Sequence, residues 1–111
     1  QSLCERRGCC WSPQSEPGVP WCFFSSNHGY RLDGAVRDTS EGLEPPLRRL
    51  PAPSLFGADV GTVRLRAQFQ SPARLRLQFT DPKKQRFEVP HDHVGSFSGP
   101  AASDPKYRLK I

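Results

Sequence analysis

Residues 9–24 read CCWSPQSEPGVPWCFF, and this stretch says more about the fold than any other part of the chain. All four cysteines lie within the first 22 residues, at Cys4, Cys9, Cys10 and Cys22. Cysteines this dense are typical of disulfides formed outside the cell or in the secretory pathway. Because the prolines between Cys10 and Cys22 exclude long regular elements, the segment needs cross-links to fold.

A zinc site is the alternative use of these cysteines. Zinc requires ligand pairs at defined spacing, whereas Cys9 and Cys10 are adjacent and His28 has no partner at ligand spacing. We therefore expect disulfides, with no metal and no other cofactor. At most one helical turn fits, around residues 5–9.

The remainder of the chain predicts a mainly β structure. Residues 31–61 place short apolar pieces between glycines and prolines, and they are too apolar for a solvated spacer, so we expect strands with irregular connections. Residues 63–80 alternate with period two around a turn at residues 71–73, which predicts a hairpin with one apolar face. Further short strands are predicted at residues 87–89 and 107–111. We expect a second sheet, outside this chain, to cover the apolar face.

Four arginines share the polar face of the predicted hairpin: Arg64, Arg66, Arg74 and Arg76. Like charges on one face repel unless a polar or acidic group meets them. A phosphate backbone is one such partner, and a basic nucleic-acid binder is therefore one hypothesis. The oxidising compartment and the lack of aromatic residues on this face argue against it. We expect no nucleic acid, and solvent or an acidic surface elsewhere in the parent protein instead.

The spacing Cys4-x4-Cys9-Cys10, followed by Trp11 and by residues 19–24 (VPWCFF), resembles the second half of a trefoil (P-type) domain. The resemblance covers residues 1–30, which we interpret as a partial trefoil domain.

The trefoil resemblance implies a cysteine pairing. It pairs Cys4 with Cys22, and it pairs Cys9 and Cys10 with cysteines that would lie upstream of Gln1. The chain contains no methionine, so we expect a fragment or a processed piece, with any membrane anchor upstream.

The continuation is similar to another family. Residues 27–30 (NHGY), 53–57 (PSLFG), 80–82 (TDP) and 86–94 (RFEVPHDHV) look like the N-terminal β-sandwich of animal family 31 glycoside hydrolases, most of all the intestinal members. The resemblance implies that residues 31–111 form the first strands of an antiparallel β-sandwich, truncated at its C-terminal side. It also implies a parent α-glucosidase that acts on starch-derived oligosaccharides. That parent would be held at the apical brush border by an N-terminal anchor, and its (β/α)8 barrel would be the partner of this chain.

Catalytic residues are not expected in this chain. A retaining glycosidase needs two carboxyl groups about 5 to 5.5 Å apart, and the family's nucleophile motif, Trp-x-Asp-Met-Asn-Glu, does not occur here. The sequence places Asp59, Asp81 and Asp104 in turns or loops and Glu88 in a short strand. We therefore expect no hydrolysis by this chain alone.

The His91-x-His93 pair could place two imidazoles on one side of a strand, a geometry that zinc enzymes use. No third ligand lies near in sequence. We interpret this pair as part of a structural loop, with no metal.

Four aromatic residues accompany the cysteines: Trp11, Trp21, Phe23 and Phe24. Aromatic faces suit the apolar side of a sugar ring, so these residues could bind an oligosaccharide or another glycan. Alternatively, they form the small core of the module and its contact with neighbouring domains. We favour this structural role over sugar binding. The alternative function is a secreted trefoil module that binds mucin or other glycans.

Overall fold

The computed structural model describes all residues from Gln1 to Ile111. The protein is mainly β, as predicted, with antiparallel pairing throughout. None of its helical structure has the length and apolar character needed to span a bilayer. The elements in chain order are α1 (Ser2–Arg6), β1 (Cys10–Trp11), β2 (Cys22–Phe23), β3 (Tyr30–Leu32), β4 (Arg37–Thr39), β5 (Gly42–Glu44), β6 (Pro46–Arg49), β7 (Thr62–Ser71) and β8 (Arg74–Thr80).

The cysteine-rich segment consists of α1 and a two-stranded ladder. In this ladder Cys10 is paired with Phe23 and Trp11 with Cys22. The helical turn lies earlier than the predicted residues 5–9, because Gly8 adopts a φ of 69° that ends helical geometry. The turn closes where the amide of Gly8 donates to the carbonyl of Glu5 at 2.9 Å.

The larger sheet has six strands organised around β7. Strand β8 pairs along one edge of β7, while β5 and β6 both pair along its other edge. Between β5 and β6 lies Pro45, which is fully buried, and its carbonyl accepts a hydrogen bond from the amide of Leu65 at 3.3 Å. Strands β4 and β3 pair with β5 and β6 on the outside. The strands predicted within residues 31–61 are therefore confirmed.

The register of the β7–β8 hairpin separates an apolar face from a polar face. Leu65 lies opposite Phe79 and Ala67 opposite Leu77, so these four side chains share one face. Leu65 and Ala67 are buried. Residues one position further along each strand point to the other face, where the polar side chains lie. The predicted hairpin and its alternation are confirmed.

The apolar face is covered over β7 but open over β8. Leu77 is 44% exposed and Phe79 is 61% exposed, although both lie opposite buried residues of β7. Phe87 and Val89, from the segment that follows β8, are also exposed. Large apolar side chains grouped at a surface usually mark a contact site.

The prediction of two further strands, at residues 87–89 and 107–111, was wrong. No regular element follows Thr80. A strand must pair its backbone with a neighbouring strand, and no backbone hydrogen bond joins residues 87–89 or 107–111 to the sheet.

The C-terminal residues cap the hairpin turn instead of extending the sheet. The hydroxyl of Tyr107 donates to the carbonyls of Ser71 and Arg74, at 3.1 and 2.9 Å. Its ring packs edge to face on Phe69, with the two centroids 6.0 Å apart. Tyr107, an aromatic residue of a predicted strand, is thereby half-buried without strand pairing.

Backbone contacts join the cysteine-rich segment to the sheet. The amide of Leu50 donates to the carbonyl of Gly29 at 2.9 Å, and the amide of Ala52 donates to that of Asn27 at 3.2 Å. Gly8 lies so close to Pro53 that an added Cβ would be 2.8 Å from its Cδ. The two segments are therefore packed against each other.

We predict that Gly42→Ala destabilises the sheet. Gly42 has a φ of 152°, and an added Cβ would lie 2.1 Å from the carbonyl oxygen of Ala67, which belongs to the partner strand β7. Strain of this kind costs about 1 to 3 kcal/mol, before any loss of the β5–β7 pairing is counted. Urea denaturation should show the lower free energy of unfolding of Gly42→Ala. Gly61→Ala is the control, because nothing lies within 4 Å of an added Cβ there. Equal unfolding free energies for the two variants would contradict this prediction.

Candidate functional site

A disulfide joins the helix to the short ladder in the cysteine-rich segment. Cys4 on α1 is bonded to Cys22 on β2, with their Cα atoms 5.9 Å apart, and Cys4 is buried. These are the two cysteines that the trefoil resemblance pairs. Cys9 is half-buried and Cys10 is exposed, and neither is in a disulfide within this chain.

The two tryptophans form a pair at the surface. Their ring centroids are 5.8 Å apart and the planes meet at 84°, which is an edge-to-face arrangement. Trp21 is 44% exposed. The outer part of its ring is therefore accessible to a ligand or a neighbouring domain.

The two phenylalanines lie at the junction with the sheet. Phe23 and Phe24 line a cleft together with Leu55 and Phe56, two residues of the connection between β6 and β7. The ring of Phe24 also packs on His28, with centroids 5.0 Å apart. The structure thus brings these two phenylalanines to a cleft between the two parts of the chain, and leaves the tryptophans as a separate pair.

His28 is a junction residue that sequence reasoning considered only as a metal ligand. Its Nε2 lies 3.2 Å from the carbonyl oxygen of Arg7, and its Nδ1 lies 3.1 Å from Oγ of Ser25. Because a carbonyl oxygen only accepts, Nε2 carries the proton and Nδ1 accepts from the Ser25 hydroxyl. His28 thereby ties the end of α1 to the start of the sheet.

A polar network occupies the opposite, hydrophilic face of the hairpin. Gln68 is only 3% exposed; its Nε2 donates to Oε2 of Glu41 at 2.9 Å, and its Oε1 accepts from Nη1 of Arg76 at 3.1 Å. Arg66 forms an ion pair with the same Glu41 oxygen. One buried amide thus holds a carboxylate and a guanidinium in fixed positions.

The expectation that solvent or an acidic surface elsewhere in the parent meets the arginines was wrong for Arg66. Its acidic partners, Glu41 and Glu44, belong to this chain. Glu41 lies far from Arg66 in sequence, and the pairing between its carbonyl and the amide of Phe69 brings it to the hairpin. Nothing in the local pattern around Glu41 pointed to this position.

The environment of Glu41 favours its charged form. The hydrogen bond from Gln68 lowers the pKa of Glu41 below its ordinary value of 4.5, against an opposing effect of desolvation. The hydrogen bond and charge of Arg66, and the charge of Arg76, lower this pKa further.

Three of the remaining acids and histidines, Asp59, Asp81 and His91, have structural contacts. Asp59 forms an ion pair with Arg49 at 2.8 Å, and Asp81 accepts from the amide of Lys83 at 2.8 Å. His91 accepts a hydrogen bond at Nε2 from Arg76 Nη2, at 2.9 Å. No group of three or more His, Cys, Asp or Glu side chains is placed to hold a metal ion.

Comparison with known proteins places these features in context. Residues 1–25 match the trefoil (P-type) domain. All 111 residues align with human intestinal sucrase-isomaltase at 45% identity. Human probable maltase-glucoamylase 2 is 40% identical over 104 residues, or 93% of this chain. Rat lysosomal alpha-glucosidase is 37% identical over 97 residues, or 81% of the chain. This chain is related to the family 31 glycoside hydrolases.

The relationship to family 31 covers a small part of each relative. The chain spans 6% of sucrase-isomaltase, 4% of maltase-glucoamylase 2 and 10% of lysosomal alpha-glucosidase. The disulfide, the tryptophan pair and the phenylalanine junction of this family 31 relative all lie within or beside the matched trefoil residues. The hairpin and its polar network lie outside the trefoil match.

We predict a specific acid sensitivity from Glu41. Since its pKa is lower in the folded protein, the unfolded chain takes up the proton first as the pH falls. The stabilising contribution is therefore complete above pH 4.5 and is lost as the pH falls through the folded pKa. Glu41→Gln should show a smaller loss of melting temperature between about pH 7 and about pH 3.5 than the parent sequence.

Glu16→Gln is the matched control for this measurement. It makes the same chemical change at an exposed position in the trefoil segment, away from the polar network. The control should keep the pH dependence of the parent sequence. A Glu41→Gln curve that runs parallel to the parent curve would contradict the assignment.

Proposed function

We propose that this chain is the non-catalytic supporting region of an α-glucosidase that hydrolyses terminal α-linked glucose from starch-derived oligosaccharides. The observation that carries the proposal is the 45% identity to sucrase-isomaltase along all 111 residues. In this proposal the trefoil segment and the sheet brace a catalytic (β/α)8 barrel in the same polypeptide. The chemistry belongs to that barrel, because residues 1–111 lack the family's nucleophile motif.

The open part of the apolar face supports a bracing role. Leu77 and Phe79 project from β8 with much of their surface exposed, on a strand whose outer edge carries no partner. Covering a large apolar side chain contributes roughly 1.5 to 3 kcal/mol. The adjoining sandwich strands and barrel of the same polypeptide are the surface that would cover them.

The relatives also suggest a location. They include intestinal sucrase-isomaltase and lysosomal alpha-glucosidase, and the Cys4–Cys22 disulfide suits an oxidising compartment. The higher identity to the intestinal protein leads us to propose an extracellular position at the apical brush border. A membrane anchor outside residues 1–111 would hold the enzyme there.

We predict that Phe79→Glu impairs the assembly of the enzyme. In the natural polypeptide that contains residues 1–111, a carboxylate on the face that the rest of the enzyme would cover should lower the yield of active enzyme roughly threefold or more. The specific activity of the molecules that do fold should be unchanged, because in this proposal Phe79 takes no part in the chemistry. The measurement is glucose release from maltose, normalised to folded protein.

Thr80→Glu is the matched control, because it adds the same charge one residue away on the opposite face, across from Arg64. Its yield should match that of the parent enzyme. Equal yields for Phe79→Glu and Thr80→Glu would contradict the bracing role, and a parent polypeptide that releases no glucose from maltose would contradict the enzyme assignment.

A secreted trefoil module that binds mucin or other glycans is the second candidate, supported by the exposed ring of Trp21 beside Trp11. This candidate predicts saturable binding of the polypeptide to a glycan array. Trp21→Ala should then lower the affinity about tenfold, while Phe56→Ala, at the separate junction cleft, should not. Unchanged binding by Trp21→Ala would contradict it.

A further inference from the structure

A cleft of about 600 Å³ lies between the polar face of the β7–β8 hairpin and residues 89–97. Its volume falls within the range of roughly 300 to 1,000 Å³ that is typical of small-molecule sites. None of the trefoil aromatics lines this cleft, whereas Leu77 of the open apolar face and the exposed Val89 both do. Neither the bracing role nor the trefoil match accounts for the polar side chains of this cleft.

The polar groups of the cleft are held in place by one another. Buried Gln68 donates to Glu41 and accepts from Arg76, and it also accepts from Gln70 at 3.3 Å. On the far side, His91 accepts from Arg76 at 2.9 Å. Side chains fixed by such a network are preorganised, so a ligand does not have to order them.

The network leaves free hydrogen-bonding capacity on the carboxylate of Glu41 and on the guanidinium of Arg76. Gln68 and Arg66 both bind Oε2 of Glu41, so Oε1 of Glu41 remains as an acceptor. Arg76 uses one hydrogen bond on each of Nη1 and Nη2, and a guanidinium has five N–H donors in all. The cleft therefore offers donors and an acceptor side by side.

Hydroxyl groups are the ligand chemistry that matches this arrangement, because each hydroxyl both donates and accepts. An anion would find Arg74 and Arg76 in the wall, but it would also meet the carboxylate of Glu41. An apolar ligand would leave the free polar groups unpaired, which is costly. Phe97 in the wall adds an apolar ring surface of the kind that packs on a sugar ring.

We propose that this cleft binds a neutral oligosaccharide through Glu41 and Arg76. It is a binding site only, because no catalytic pair of the family's type belongs to this chain. If the proposed function holds, the oligosaccharide is an α-linked glucan, and the cleft is a second binding site for a substrate chain. The choice of glucan, but not the cleft itself, rests on that function.

The test uses the natural polypeptide that contains residues 1–111, labelled with 4-fluorophenylalanine. The fluorine resonance of Phe97, assigned by its loss in Phe97→Leu, reports on the cleft and not on a distant active site. Titration with maltotetraose should shift this resonance saturably. Arg76→Ala should raise the dissociation constant about tenfold, because hydrogen bonds from a charged group are lost.

Two further variants make the result specific. Arg64→Ala removes the same charge from the same sheet face outside the cleft, and it should leave the dissociation constant unchanged. Arg76→Lys keeps the charge and removes the planar fork, and it should still weaken binding about threefold or more. If Arg76→Ala does not fold, the dissociation constant of Arg76→Lys provides the test.

Three outcomes would overturn the proposal: no saturable shift with maltotetraose, equal weakening by Arg64→Ala and Arg76→Ala, or tighter binding of inorganic phosphate than of maltotetraose. Glucose release from maltose by the same preparation tests the proposed function separately. A saturable shift without glucose release would support the saccharide cleft and contradict the α-glucosidase assignment. Glucose release without a saturable shift would do the reverse.

Discussion

Hydrogen bonding along both edges of β7 is the constraint on which the rest of the larger sheet depends. Strand β8 occupies one edge, and β5 and β6 occupy the other with buried Pro45 between them. This pairing sets which side chains of β8 face the apolar side and which face the polar side. It also brings Glu41 to the end of β5, where it meets Arg66 and Gln68. Both the candidate contact surface and the proposed saccharide cleft therefore follow from one register.

The cysteine-rich segment has a different source of order. Its ladder has only two residues per strand, so the Cys4–Cys22 bond and the packing against the sheet must supply what a hydrophobic core would otherwise provide. A disulfide that closes a loop of this size contributes about 3 kcal/mol in the chain-entropy model. His28 and Gly8 complete the attachment, one through hydrogen bonds and the other through a close approach to Pro53 that only a residue without Cβ permits.

Local patterns predicted the elements whose partners are near in sequence. Alternation from Val63 to Thr80 sufficed for the hairpin, because a short turn leaves few alternative pairings. The same pattern failed at Phe87 and Tyr107, where apolar alternation occurs without backbone pairing to the sheet. Glu41 and His28 were not recognised as contact residues, since their partners lie far along the chain and no local signal marks such contacts. The polar cleft could not be foreseen for the same reason.

The sequence by itself determined the fold class, the cysteine frame, the family relationship and the absence of the nucleophile motif, because each of these depends on residue type and spacing. The tertiary structure decided which side of the hairpin is covered and which remains open. It also decided that two of the four arginines, Arg66 and Arg76, join a network around Gln68. The physical reason is that burial and ion pairing depend on distances across strands, and those distances are set by a register that no short stretch of sequence specifies.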